Sequence, residues 1–262
     1  MSPLVTLTTD LGDVYGAQLK AMLYRRLPPG SVVDLTHTLP AHGVEEAAFL
    51  LLHMAQRFPA GTVHVAVVDP GVGSERAPAG IATGDGSLLV GPDNGLLWPL
   101  ATALGNPRAF RLDPARIAAQ AAISPTFEAR DLFAPAAALL ASGSSLEFLG
   151  VPLEPHRYLI PSAAVTLTGA EGVVLHVDRF GNLITNVPSP AGPTVGGTLS
   201  VRIGRGAGRQ GRRQRTYADL KPGHWGVVGS SFGYLEVAVR EGSAARRFSG
   251  RVGDRVRLGW AK

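Results

Sequence analysis

Leu4-Val5-Thr6-Leu7-Thr8-Thr9-Asp10-Leu11-Gly12-Asp13, residues 4–13, opens the chain with an apolar, β-branched run that stops at an acidic turn bearing glycine. Leu4 to Thr8 reads as a buried strand. The period then changes. From Tyr15 to Leu27 the apolar residues Leu19, Met22 and Leu23 fall on one helical face. Val32 to Leu35 reads as a second strand. Val44, Ala47, Leu51, Met54 and Phe58 form another helical stripe, ended by Pro59-Ala60-Gly61, and Val63 to Val68 is a third strand. Strands alternating with helices predict an α/β N-terminal domain with a mostly parallel central sheet.

That rhythm stops near Ser144. Prolines and the lack of a clear period place a linker at 156–164, between an α/β domain at 1–155 and a second domain at 165–262. The second domain carries short β-type runs at 172–177, 183–186, 199–203, 225–228, 234–239 and 255–258, separated by turn residues. This pattern predicts an all-β barrel. No internal repeat is visible.

A length of 262 residues with 45% hydrophobic and 17% charged residues suits folded domains with real cores, not a disordered chain. Cysteine is absent, which removes disulfides, thiolate nucleophiles and cysteine metal sites together. Neither a metal nor a cofactor is expected. No basic segment followed by an apolar run stands at Met1 to Val5, and no apolar stretch is long enough to span a bilayer, so a cytoplasmic protein without a membrane partner is expected. The net charge of +5 raises the question of nucleic acid. Much of it sits in Arg205, Arg209, Arg212, Arg213 and Arg215. Interleaved glycines and the lack of stacking aromatics make that stretch a flexible, solvated hairpin tip rather than an RNA surface.

In open α/β sheets ligands sit beyond the carboxyl ends of the strands. Asp10 and Asp13 follow strand one, and two carboxylates beside a glycine suit the vicinal hydroxyls of a ribose; a helix N-cap is the plain alternative for Asp10. Asp69-Pro70-Gly71-Val72-Gly73-Ser74-Glu75-Arg76 follows strand three. A loop of this size can return Arg76 to Asp69, and that pair can hold and polarise a water. It lacks the Gly-Lys-Ser/Thr ending of a nucleotide phosphate loop. Asp93-Asn94-Gly95 is turn chemistry. Phe127 and Glu128 precede an apolar helix and can face a pocket, while Arg130 and Asp131 suit the helix start as a cap and a charge. Asp178, Phe180 and Asn182 share a loop that offers a carboxylate, a ring and an amide to a small zwitterion; an ordinary β-turn is the alternative. Ser231 and Phe232 enter a late strand.

Taken together and in order, these segments resemble the S-adenosyl-L-methionine (SAM) hydroxide adenosyltransferase family, relatives of enzymes that join fluoride or chloride to the same SAM carbon. The matching segments are Thr-Thr-Asp-Leu-Gly at 8–12, Val-Asp-Leu-Thr-His at 33–37, Ala-Val-Val-Asp-Pro-Gly-Val-Gly at 66–73 and Val-Gly-Pro-Asp-Asn-Gly-Leu-Leu at 90–97. They continue with Thr-Phe-(Glu-Ala)-Arg-Asp-Leu-Phe-Ala-Pro at 126–135, Val-Asp-Arg-Phe-Gly-Asn-Leu-Ile-Thr-Asn at 177–186, Thr-Tyr-Ala-Asp at 216–219 and Ser-Phe-Gly-Tyr-Leu-Glu-Val-Ala at 231–238.

The resemblance implies a homotrimer with active sites where one subunit's N-terminal domain meets its neighbour's C-terminal domain. It implies that Asp10 holds the ribose diol with Asp13 nearby, that His42 lies against the ribose, and that Phe127 flanks the nucleoside. Asp178, Phe180, Asn182, Ser231 and Phe232 would serve methionine and adenine, and the backbone near Val239 and Glu241 would read the adenine edge. The family's catalytic Asp and Arg map to Asp69 and Arg76, and its His-Gly is replaced by Glu128-Ala129. The loop from Asp10 to Asp13 is also about two residues shorter than the family's pattern.

The expected reaction is hydrolysis of SAM to adenosine and L-methionine. A water or hydroxide held by Asp69, Arg76 and Glu128 would attack C5′ in line with the C–S bond. The alternatives are a SAM- or adenosine-binding protein that has lost turnover through the Glu128 change, and an RNA-associated protein using the arginine stretch. A halogenase reading is weaker, because Asp69 would repel an anionic nucleophile.

Overall fold

The computed structural model describes residues 4–118 and 122–260. The chain divides into two compact units, Met1–Ile160 and Pro161–Lys262.

In the first unit β1 (Val5–Thr9), β2 (Val32–Thr36), β3 (Val63–Val67), β4 (Pro78–Ala82), β5 (Leu88–Pro92), β6 (Arg108–Leu112) and β7 (Gly150–Pro152) form one sheet in the order β2-β1-β3-β5-β4-β6-β7. The pairs β1–β2, β1–β3 and β3–β5 are parallel; β4, β6 and β7 join antiparallel. The sheet is therefore mixed and largely parallel, as the alternating pattern predicts. The antiparallel strands β4 and β6 escape that pattern because their composition is poor for a strand: β4 holds Pro78, two alanines and Gly80, and β6 holds two arginines. Gly91 in β5 also approaches the main chain of β3 so closely that a Cβ would lie 2.1 Å from the Ala66 carbonyl oxygen.

Helices cover both faces. α1 (Gly12–Leu23) and α5 (Ala134–Ala141) pack Leu19, Leu23, Ala137 and Ala138 against Val5, Leu7 and Val65. α2 (Val44–Ala55) and α3 (Trp98–Ala103) pack Ala47, Leu51 and Leu100 against Ala66, Val68 and Leu89 on the other face. Two short helices, α4 (Pro114–Ile117) and α6 (Leu146–Leu149), complete the unit. The helix expected to run to Leu27 ends at Leu23, with one more turn bonded back to the Leu23 carbonyl before Pro28 removes the next donor.

The polar His64 sits in this core with 1% exposure, its Nδ1 2.8 Å from the Thr6 hydroxyl. Burial drives its pKa down to about 4.

The second unit is antiparallel: β8 (Ala164–Val165), β9 (Gly169–Val177), β10 (Leu183–Pro188), β11 (Thr198–Ile203), β12 (Arg209–Arg212), β13 (Trp225–Gly229), β14 (Tyr234–Val239) and β15 (Arg255–Trp260). Their order is β12-β11-β15-β9-β10-β14-β13, with β8 beside β9. A bridge from Arg213 to Val227 nearly closes the barrel. Val174, Leu183, Val201, Val237 and Val256 fill the interior, and α7 (Ala244–Phe248) adds Phe248.

The arginine stretch differs from a flexible loop. Arg209–Arg212 is strand β12, paired with Thr198–Val201. The Arg213 guanidinium donates to the carbonyls of Ser189, Ala191 and Pro193 and acts as a half-buried tie. No helix among the described residues is long and apolar enough to cross a membrane.

Candidate active site

The carboxyl ends of β1 and β3 lie side by side, so the loops that leave them share one rim of the sheet. A cavity of about 220 Å³ opens there, lined by Asp10, His42, Asp69, Val72, Phe127 and Glu128 among others. A larger groove, about 660 Å³, lies on the outer barrel face around Ser200, Arg202 and Arg257, and none of the expected site residues lines it.

The β3 loop folds back as its glycines and Ser74 require. The Ser74 hydroxyl donates to the Gly71 carbonyl at 2.6 Å, and Gly73 takes φ 76°. Arg76 is thereby brought over Asp69. Its Nε donates to both Asp69 oxygens at 3.0 Å, and its Nη2 donates to Asp69 Oδ2. The same Nη2 donates to Glu128 Oε2 at 2.5 Å. Asp69 Oδ1 also accepts from the Gly71 amide at 3.2 Å, so this carboxylate is held on several sides. The Arg76, Asp69 and Glu128 side chains are 10%, 6% and 20% exposed, which makes the trio a desolvated charge cluster. Burial alone would lower the Arg76 pKa. The hydrogen bonds and charges of Asp69 and Glu128 outweigh it, so the pKa is raised and the guanidinium stays charged. Arg76 Nη1 is buried and has no hydrogen-bond partner among the described residues.

Asp10 is not the cap of α1. The N-cap position is Leu11, without a side-chain cap bond, and Asp10 Oδ2 instead accepts from the His42 amide at 3.2 Å. His42 takes a left-handed backbone, φ 63°. Asp13 is exposed in the first turn of α1, where its charge complements the helix N-terminus, and it does not line the cavity. Phe127 meets Tyr15 edge to face at 5.1 Å between ring centres, and the Arg130 guanidinium lies 4.8 Å from its centre.

Asp131 places its charge in the first turn of the following helix, as expected, but neither it nor Arg130 caps it. They pair with each other at 2.6 Å, and Asp131 accepts from the Ser124 amide at 3.0 Å, tying down the segment that carries Phe127 and Glu128. That segment enters α5 through a π-helical turn, Ala129–Phe133. Such turns are frequent at functional sites.

In the second unit Asp178 Oδ1 accepts from the amides of Phe180 and Asn182, and Oδ2 from the Asn182 side chain, each at 2.9 Å. The β-turn and the polar cluster are thus one object. Phe180 stands 68% exposed at its tip. Val239 and Glu241 lie towards the same end of β14, whereas Ser231 and Phe232 precede the opposite end, beside Pro188 and Ser189.

The sequence reading assigned no role to Tyr217, whose hydroxyl donates to Glu236. Glu236 is only 3% exposed, and its pKa is raised by burial and by the nearby Asp178 charge. Both residues fall in segments that resemble the family, at 216–219 and 231–238, which is the sequence signal for them. Among the described residues no group of three or more His, Asp or Glu is placed to hold a metal.

The chain is similar to known proteins over both units. The profile of the SAM hydroxide adenosyltransferase N-terminal domain matches residues 5–150, and that of its C-terminal domain matches residues 172–257. The chain is 39% identical over 264 residues to a Salinispora tropica protein named (R)-S-adenosyl-L-methionine hydrolase, covering 98% of both. It is 41% identical over 255 residues to a Thermus thermophilus protein of the same name, covering 95% of both. A crystal structure of an uncharacterized conserved protein from Thermotoga maritima superposes with a TM-score of 0.90 at 30% identity, over 98% of this chain and 100% of the other. With both domains matched and full-length relatives near 40% identity, the chain belongs to the SAM hydroxide adenosyltransferase family.

Proposed function

We propose that this chain hydrolyses SAM to adenosine and L-methionine, with a water held by Asp69, Arg76 and Glu128 as the nucleophile. The observation that carries the mechanism is the shared guanidinium: Arg76 fixes both carboxylates at the edge of one cavity. Asp69 and Glu128 both line the cavity and offer carboxylate oxygens to a water there, while Arg76 stands behind them and holds them in place. The water oxygen bonds to C5′, the C–S bond breaks, and its electron pair goes to sulfur, which turns a sulfonium into a neutral thioether. The water's proton passes to a carboxylate and then to solvent.

The leaving group is already activated, so the protein's task is aim. Holding a nucleophile in line is worth about 7–11 kcal/mol, and excluding other water preserves its reactivity. Asp10 would hold the ribose hydroxyls and Phe127 would flank the nucleoside. The Asp178–Asn182 loop would serve the methionine or adenine end of a substrate bound in a homotrimer. Here one chain supplies Asp10 and its neighbour Asp178.

Relatives are named for the (R) form of the substrate, so the assay uses both sulfonium epimers. Purified protein is incubated with each, and adenosine and methionine are followed by chromatography. Equal amounts of both products, lost in Asp69→Asn, are expected. SAM binding without adenosine release would mark the chain as a binding protein.

A further inference from the structure

The motif Val33-Asp34-Leu35-Thr36-His37 plays no part in the chemistry described above, yet its side chains converge on the loop that carries Asp10. Lys20 Nζ of α1 donates to Asp34 Oδ2 at 2.6 Å. Asp34 Oδ1 lies 3.2 Å from His37 Nε2, and His37 Nδ1 lies 2.9 Å from the Thr9 hydroxyl. The Leu11 amide in turn donates to Thr9 Oγ1 at 3.3 Å. His37 is 6% exposed and Thr9 is fully buried.

One proton arrangement fits the Thr9 end of this chain; at the other end His37 Nε2 meets Asp34 as a 3.2 Å charge contact and makes no hydrogen bond among the described residues. Burial of Asp34 disfavours its charge, but Lys20 and His37 outweigh that effect and its pKa is lowered, so it is an anion. The anion selects the His37 tautomer with the proton on Nε2. Nδ1 is then an acceptor and the Thr9 hydroxyl must donate to it, which leaves the Thr9 oxygen to accept from Leu11. Asp10 is the residue between Thr9 and Leu11. Two main-chain bonds complete the frame: Gly12 amide to the His37 carbonyl at 2.8 Å, and Leu39 amide to the Thr9 carbonyl at 3.2 Å.

A second element is shaped around the same ring. Gly16 lies inside α1, where glycine costs about 1 kcal/mol against alanine. A Cβ at Gly16 would lie 2.5 Å from His37 Nε2, so the helix yields side-chain volume to seat the imidazole.

We infer that His37 is a positioning residue: the Lys20–Asp34–His37–Thr9 chain fixes the turn that aims the Asp10 carboxylate at the ribose. This rests on the proposed role of Asp10. The test is a double-mutant cycle on kcat/KM for SAM with His37→Leu, Asp10→Ala and the double variant, each checked for a cooperative thermal transition. His37→Leu is expected to lower kcat/KM about tenfold, the effect of one lost charge-assisted contact, mainly through KM. The double variant is expected to be no worse than Asp10→Ala. His37→Asn, which can restore an acceptor for Thr9, should recover part of the loss, and Gly16→Ala, which displaces the ring from another element, should reproduce it. Should His37→Leu fail to fold, Thr9→Val takes its place in the cycle. Wild-type kinetics in His37→Leu, or losses that simply multiply in the double variant, would overturn the inference and leave the Asp10 role standing. Wild-type kinetics in Asp10→Ala would remove that role and the inference with it.

Discussion

One nitrogen of Arg76, Nη2, donates to both Asp69 and Glu128. The two carboxylates share a single guanidinium, so the cluster carries a net charge of minus one within a partly buried site. A cationic sulfonium is attracted by that charge and an anionic nucleophile is repelled by it, which favours a neutral water over a halide. Glu128 reaches the same arginine that Asp69 holds.

Glu128→Gln keeps the size and removes the charge. If Glu128 orients the water, turnover should fall about 10²-fold, the usual scale of acid–base assistance, with SAM binding little changed. Glu128→His, the group that the family resemblance implies at this position, should keep substantial activity. Steady-state kinetics of the two variants check this, and full turnover in Glu128→Gln would leave the water to Asp69 and Arg76 alone.

Arg76→Met should destabilise the protein as well as inactivate it. Removing one partner from a buried ion cluster leaves uncompensated charge, at a cost of about 3–5 kcal/mol. Urea unfolding at neutral pH measures the difference. The double variant Arg76→Met with Glu128→Gln should recover part of the loss, because one stranded charge is gone.

His64 makes the first unit sensitive to mild acid. Its native pKa of about 4 lies below the ordinary 6.5, so between those values the unfolded chain takes up a proton that the native core refuses. Stability is full above pH 6.5 and falls as pH drops towards 4, by about 2–3 kcal/mol at pH 4.5. Urea melts of wild type and His64→Gln at pH 7 and 4.5 should show a smaller pH loss in the variant; equal losses would assign the effect elsewhere.

Much of this was legible in the sequence, for physical reasons. The strands at Val5–Thr9 and Val63–Val67 are β-branched runs of core residues, and the turns after them carry the candidate Asp10 and Asp69. The return of Arg76 to Asp69 followed from glycines that permit one tight path. The antiparallel strands at 78–82 and 108–112 were not visible, because Pro78 and Gly80 interrupt the first and two arginines the second. The bond from Arg76 to Glu128 spans 52 positions, and no local pattern encodes it. The Asp34–His37–Thr9 chain was quoted as a motif, but only the fold shows that its side chains point at the Asp10 turn.

The proposed homotrimer makes a complementation test available. Asp10→Ala and Asp178→Ala chains, each strongly impaired alone, should regain activity when refolded together, because some sites then receive both intact residues. Verified mixed trimers with no activity would count against a shared site.

The central claim is that an enzyme-held water displaces methionine from C5′. SAM is incubated with the protein in heavy-oxygen water, and the products are weighed by mass spectrometry. One heavy oxygen should appear in adenosine, at the 5′ position, and none in methionine. Label in methionine, or S-adenosylhomocysteine as the product, would contradict the account.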